Sequence, residues 1–166
     1  MNTTSTMETS FSQIAQDFGA TLQTMQEMPQ TKKLNESNQA AIYSMACTLM
    51  QSGHFDQAAK YFQFLAFYAP TNADYYQGWG TCARELADWP TAAHALGTAL
   101  YLEPESNALA LLWAETLLHL ELPLVAKAIC SLVMENTTTD EESALHHRAH
   151  LLIQSLEEAP NTHATA

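Results

Sequence analysis

Glu142, His146 and His150 follow one another at four-residue intervals with His147 beside them, and that spacing puts side chains on one face of a helix. Imidazoles and a carboxylate so arranged resemble half of a zinc site. A zinc site needs further ligands that nothing else in the sequence supplies, so the cluster reads as the solvated outer face of a helix. Cys47, Cys82 and Cys130 are odd in number, widely spaced and set within helical patterns. They read as reduced thiols acting as small apolar side chains, as in a cytosol, rather than a disulfide framework. No CxxC, HExxH, P-loop or GxSxG motif occurs, so no catalytic site, metal or cofactor is expected. Trp79, Trp89 and Trp113 suggest an aromatic cage, but Trp79 and Trp113 lie 34 residues apart and belong to a packing pattern.

That pattern sets the elements. Residues 39–104 read as two copies of a 34-residue unit. Met45 falls on Trp79, Ala46 on Gly80, Ala58 on Ala92, Phe62 on Leu96, Leu65 on Ala99 and Pro70 on Pro104. A weaker third copy continues with Trp113, Ala114, Leu117, Ala126, Cys130 and Val133, and has Thr138 where the proline would recur. Small residues recur where two helices approach closely, bulky ones fill the space beside them, and each proline stops a helix. This is the tetratricopeptide signature. The expected fold is all-α: a helical solenoid of three helix hairpins, with an added N-terminal helical segment and a C-terminal capping helix.

Length and charge bound the rest. At 166 residues the chain fits one domain, and 47% apolar content excludes wholesale disorder. A net charge of −12 with only six Lys and Arg argues against nucleic acid and against an anionic membrane surface. The first ten residues have no basic and apolar regions of the secretory type, and no apolar run reaches membrane-spanning length. The expected organisation is a disordered N-terminus over 1–7, a single helical domain over 8–157 and a disordered tail over 158–166. Within the domain come a helical segment over 8–29, the three repeats over 38–136 and the cap over 140–157.

Ser5 and Glu8 form a capping box for the first segment, Gly19 is placed to kink or divide it, and Pro29 ends it. Its apolar stripe Phe11, Ile14, Phe18 and Leu22 must be covered, either by a solenoid end or by another chain; a homodimer is the expectation. Asn35 or Ser37 caps the first repeat helix, Thr71 or Asn72 starts the third, and Ser106 the fifth. A second capping box at Thr139–Glu142 opens the last helix, with Ala144, Leu145, Ala149, Leu152, Ile153 and Leu156 on its apolar face.

Recognition chemistry is left to the face that packing does not use. On the first repeat helix Ile42, Met45, Ala46 and Leu49 share one direction, while Tyr43, Cys47 and Met50 point roughly 110° away. First helices line the concave side of such a solenoid. The 34-residue offset then adds Gln77, Thr81 and Arg84, and after them Leu111, Glu115 and Leu118. A groove apolar at both ends and polar between suits an extended peptide. Alternatively, Tyr43, Cys47 and Met50 pack beneath the N-terminal segment. A general adaptor that captures a C-terminal carboxylate would need several basic groups here, and only Arg84 is present.

The runs Gly19-Ala20-Thr21-Leu22, Ile42-Tyr43-Ser44-Met45-Ala46 and Gln51-Ser52-Gly53-His54-Phe55-Asp56-Gln57-Ala58 carry a more specific likeness. With Phe62-Gln63-Phe64-Leu65 and the helix after Thr139, they resemble the class II chaperones of bacterial type III secretion over roughly residues 8–157. The resemblance implies a three-repeat helical fold in the bacterial cytoplasm, without catalysis. It also implies that the groove binds an extended N-terminal segment of a hydrophobic translocator, often Pro-x-Leu-x-x-Pro, and that the free protein dimerises through its N-terminal helix. By position, Tyr43, Cys47, Met50 and Tyr68 fall where that family places aromatic or apolar groove residues; Cys47 and Met50 are less aromatic than usual there.

Overall fold

Short polar side chains start the helices. In the computed structural model, which describes residues 16, 19–20, 23–24, 34–137 and 143–158, Asn35 accepts from the Asn38 N–H at 2.8 Å and opens α1 (Glu36–Gln51). After α2 (Phe55–Tyr68), Asn72 caps α3 (Ala73–Glu85) and Asp88 caps α4 (Trp89–Leu102), whose first turn holds Pro90. Ser106 caps α5 (Asn107–His119), and α6 (Pro123–Asn136) and α7 (Ser143–Glu158) complete the described chain. The hairpins fall where the 34-residue period puts them, with ends displaced by one or two residues. Each helix packs chiefly on its neighbours in sequence, while α1 meets α3 and α5 meets α7. That stepwise contact pattern is a solenoid.

The hairpin turns repeat in detail. Gly53, Ala87 and Glu121 take φ of 77°, 57° and 59°, one at the end of each first helix. Their N–H groups donate to Met50, Arg84 and Leu118, and the next residues' N–H groups donate to Leu49, Ala83 and Leu117. These are three Schellman caps in register, of which only the first uses the glycine that a left-handed position favours.

Packing follows the repeat. Ala46, Ala58, Ala92, Ala114 and Ala126 are fully buried, and so are Phe62, Leu96 and Cys130 to within a percent. Burying a side chain the size of Phe62 or Leu96 stabilises by roughly 1.5–3 kcal/mol. Helix α3 is small on two sides: a Cβ added at Gly78 would lie 2.5 Å from the Phe62 ring, and one at Gly80 would lie 2.7 Å from Leu96 Cγ. Trp79 and Trp113 lie against the preceding hairpin, Trp113 donating from Nε1 to the Ala93 carbonyl at 3.0 Å. Met45, their equivalent, was expected in the packing stripe and is instead 50% exposed. Among the described residues no hairpin precedes α1 to receive it. Pro70 is buried but Pro104 is exposed, so the repeat's closing position is not equally packed in both copies.

The described residues of the N-terminal segment, 16, 19, 20, 23 and 24, are helical, and Thr24 Oγ1 donates to the Ala20 carbonyl. Gly19 answers a close approach: a Cβ there would run into the Tyr101 hydroxyl on α4. This point of the segment therefore packs on its own chain. Phe11, Ile14, Phe18 and Leu22 lie outside the described residues, as do Ser5, Glu8, Pro29 and the Thr139–Glu142 capping box. On α7, Ala149 is buried and Leu145, Leu152, Ile153 and Leu156 are half-buried, whereas Ala144 is exposed. No described helix is long and apolar enough to cross a membrane.

Candidate partner-binding groove

Helices α1, α3, α5 and α7 stand in a row, and the stripe that packing leaves over is not treated alike along it. At the α1–α3 end the Tyr43 ring meets Phe62 edge-on at 5.9 Å between centroids and Tyr75 at 5.6 Å. Burial, with Cys47 and the Asp74 carboxylate nearby, pushes the Tyr43 hydroxyl up to about 12, and burial then Asp74 raise Tyr75. Both phenols stay protonated at neutral pH and can donate hydrogen bonds. A cavity of about 410 Å³ opens beside them, lined by Glu36, Gln39, Ala40, Tyr43, Asn72, Asp74 and Tyr75. Cys47 and Met50 are half-buried against the cluster holding Phe62 and Cys82. Tyr43 is thus both a surface and a packing residue. The alternative reading, in which this stripe packs beneath the N-terminal segment, turns on side chains outside the described residues.

The middle of the row is polar. Gln77 is exposed and Thr81 half-buried. Arg84 donates from Nη1 to the Leu112 carbonyl at 3.1 Å and from Nη2 to Glu115 Oε2 at 3.2 Å. Arg148 reaches the same oxygen from α7 at 2.6 Å. Glu115, only 14% exposed, therefore ties three consecutive helices of the row together. Arg84 already has its carboxylate, which removes the one cation that a carboxylate-capturing adaptor would use.

The far end is closed. Leu111 was expected to line the groove and has no exposure; it belongs to the core with Ala114, Leu117, Ala126 and Ala149. Leu118 is half-buried against the same cluster. The cause is α7, which lies next to α5 and contributes Ala149, Leu145, Leu152 and Ile153 to that cluster. Tyr68 stands apart: its ring contacts are with Phe64 at 4.6 Å and Phe67 at 5.3 Å on α2, not with Tyr43. Of the histidines, His146 Nδ1 lies 3.1 Å from Thr137 Oγ1, while His147 and His150 are exposed. Trp89, the tryptophan outside the repeat pattern, stacks face to face on His119 at 3.7 Å.

Three features of this face escape sequence reasoning: the cavity with Glu36, Asp74 and Tyr75, the Arg148 contact, and the closure by α7. A signal for the last existed. Ala149 is the small buried residue of a further first helix, displaced by one position from the 34-residue register, so a strict offset misses it.

No protein-family model matches the sequence, and no curated protein matches it in sequence. Solved structures match in fold. The type III secretion chaperone SycD of Yersinia enterocolitica, in complex with a peptide of the translocator YopD, aligns with a TM-score of 0.70 at 21% identity, covering 75% of this chain and 96% of that one. A type III secretion complex from Aeromonas hydrophila aligns at 0.73 and 19% identity, covering 85% and 95%. PcrH of Pseudomonas aeruginosa aligns at 0.68 and 22%, covering 75% and 95%, and PcrH is also known in complex with the chaperone-binding regions of PopD and PopB. The chain has the all-helical repeat fold of these chaperones.

Proposed function

We propose that this protein is a cytoplasmic chaperone of a bacterial type III secretion system. It binds an extended N-terminal segment of a hydrophobic translocator along the α1–α3 face and keeps that translocator soluble and competent for export. The observation that carries the reading is the fold shared with chaperones solved around translocator peptides, joined to a face that opens into a cavity of aromatic and polar residues at one end. An extended segment needs hydrogen-bond partners for its backbone and a few pockets for its side chains. Gln77, Thr81 and the Tyr43 hydroxyl supply the first, and the surfaces around Tyr43, Cys47 and Met50 the second. The work is stoichiometric binding without catalysis. A translocator must enter membranes at its destination, and covering its anchor segment prevents aggregation and premature insertion. The acidic surface keeps the complex dispersed. Free protein dimerises through Phe11, Ile14, Phe18 and Leu22, and a Phe11→Glu, Ile14→Glu variant should sediment closer to monomer with its helical signal unchanged.

Titration calorimetry with the N-terminal segment of the translocator encoded with the same secretion system tests the main reading. One-to-one binding is expected, and Gln77→Trp and Thr81→Trp should each weaken it by obstructing the face. Absent binding, or unchanged affinity in both variants, would place the client elsewhere.

A further inference from the structure

The cavity at the N-terminal ends of α1 and α3 has a composition that peptide-backbone binding alone does not call for. Its wall is a pair of tyrosine rings, Tyr43 and Tyr75, with centroids 5.6 Å apart and planes inclined at 45°. Glu36 and Asp74 line the rim, and neither has a Lys or Arg partner among the described residues. Each of the four described Lys and Arg side chains is held by another carboxylate, and Lys32 and Lys33 lie outside the described residues. Gln39 shares the cavity, and the Tyr75 hydroxyl donates to its amide oxygen at 3.4 Å. A cavity of about 410 Å³ has room for one long side chain and its water. Aromatic faces attract a cation, an apolar stem packs along the rings, and flanking carboxylates complete the charge.

We propose that this cavity is a subsite for a lysine or arginine side chain of the client segment. The inference rests on the proposed function, because the cavity opens on the face assigned to that segment. It explains two features together. Acidic residues in the first turn of a helix are locally favourable, which accounts for Glu36 and Asp74 singly. It does not account for an open cavity between them walled by two tyrosines. The long-range field agrees, since a net charge of −12 draws a basic segment toward this surface.

Selection of a displayed library of random dodecapeptides on the intact protein tests the subsite. Enriched sequences should share one Lys or Arg position, and selection on the Glu36→Gln, Asp74→Asn variant should lose that preference while keeping the apolar positions. A selected peptide should then bind roughly 5- to 30-fold more weakly when its basic residue is replaced by norleucine, and the difference should vanish in the variant. Enriched peptides without a basic position, or with one that the variant still demands, overturn the subsite and leave the groove standing. If no peptide is enriched, the groove reading fails and the subsite with it.

Discussion

The two ends of the α1–α7 row use the same repeat positions to opposite purposes. Tyr43, Gln77 and Leu111 are one position in three successive hairpins. The first lines an open cavity, the second is exposed, and the third is sealed in a core. Glu115, in register with Cys47 and Thr81, is locked between two arginines. The difference comes from what stands next in the row. Beyond α5 comes α7, which covers the far end and turns would-be groove residues into core. A repeat therefore dictates the direction of a side chain, and its neighbours decide whether that direction meets solvent.

The sharpest way to break this contrast is to truncate both residues at the shared position. Leu111→Ala should lower stability by about 2–5 kcal/mol, the usual loss for a fully buried leucine, while Gln77→Ala should stay within about 0.5 kcal/mol. Denaturant unfolding of the two variants decides it. Similar losses would mean that α7 does not seal the far end.

Next in size is the junction between the halves. Gly80 touches Leu96 so closely that any side chain must displace the α4 backbone as well, since the added Cβ would also lie 3.2 Å from the Leu96 nitrogen. Gly80→Leu should destabilise by about 1–3 kcal/mol or more, lowering Tm by roughly 2–4 °C for each kcal/mol. An unchanged thermal melt would show that α3 and α4 are not in this register.

These residues also show what the sequence could reveal. Gly80, Ala46 and Ala114 were legible as close-approach points because the requirement for a small side chain repeats with the period. So was Ser106, since a cap acts locally, whereas Thr71 and Asn72 stood as alternatives until the structure placed the cap on Asn72. The open end of the groove was legible only in outline. The wheel puts Tyr43 on the stripe that packing leaves over, but its contacts with Phe62 and Tyr75 join residues from three helices, and no helical wheel contains them. For the same reason Tyr43→Ala is expected to lower stability as well as binding. Leu111 and Arg148 were missed because closure by α7 depends on a one-residue shift after α6.

Alkaline pH acts on both halves, since burial also raises the Cys130 thiol at the sealed end, and Cys82 is the probe of the open one. Burial first, then Cys47 and Glu85, pushes the Cys82 thiol at the open end up to about 11 from an ordinary 9. Unfolded chains ionise this thiol near 9 while folded ones keep it protonated, so the unfolded state binds fewer protons in between. Stability is therefore complete below pH 9 and falls as pH rises to about 11, by about 1–3 kcal/mol from this group. Urea unfolding of the parent and of Cys82→Ala across that interval should show a steeper decline in the parent. Parallel declines would remove Cys82 from the account.

The smallest expected effect lies in the hairpin turns, where the three repeats share one backbone and carry different residues at the left-handed position. Gly53, Ala87 and Glu121 all sit in left-handed conformation at the end of a first helix, with the same pair of cap hydrogen bonds. For a residue with a Cβ this conformation costs about 1–2 kcal/mol, and a glycine introduced there gives back about 0.5–1 kcal/mol in lost chain freedom. Ala87→Gly and Glu121→Gly should therefore stabilise by up to about 1 kcal/mol. Gly53→Ala should destabilise by a similar amount, through strain alone, because no atom lies within 4 Å of the added Cβ. Tm should move a few degrees upward in the first two and downward in the third. The Glu121 turn serves the sealed end and the Gly53 turn the open one, so equal and opposite shifts would mean that turn geometry acts independently of groove closure. A lower Tm for both glycine variants would show that the cap geometry is not what limits these turns.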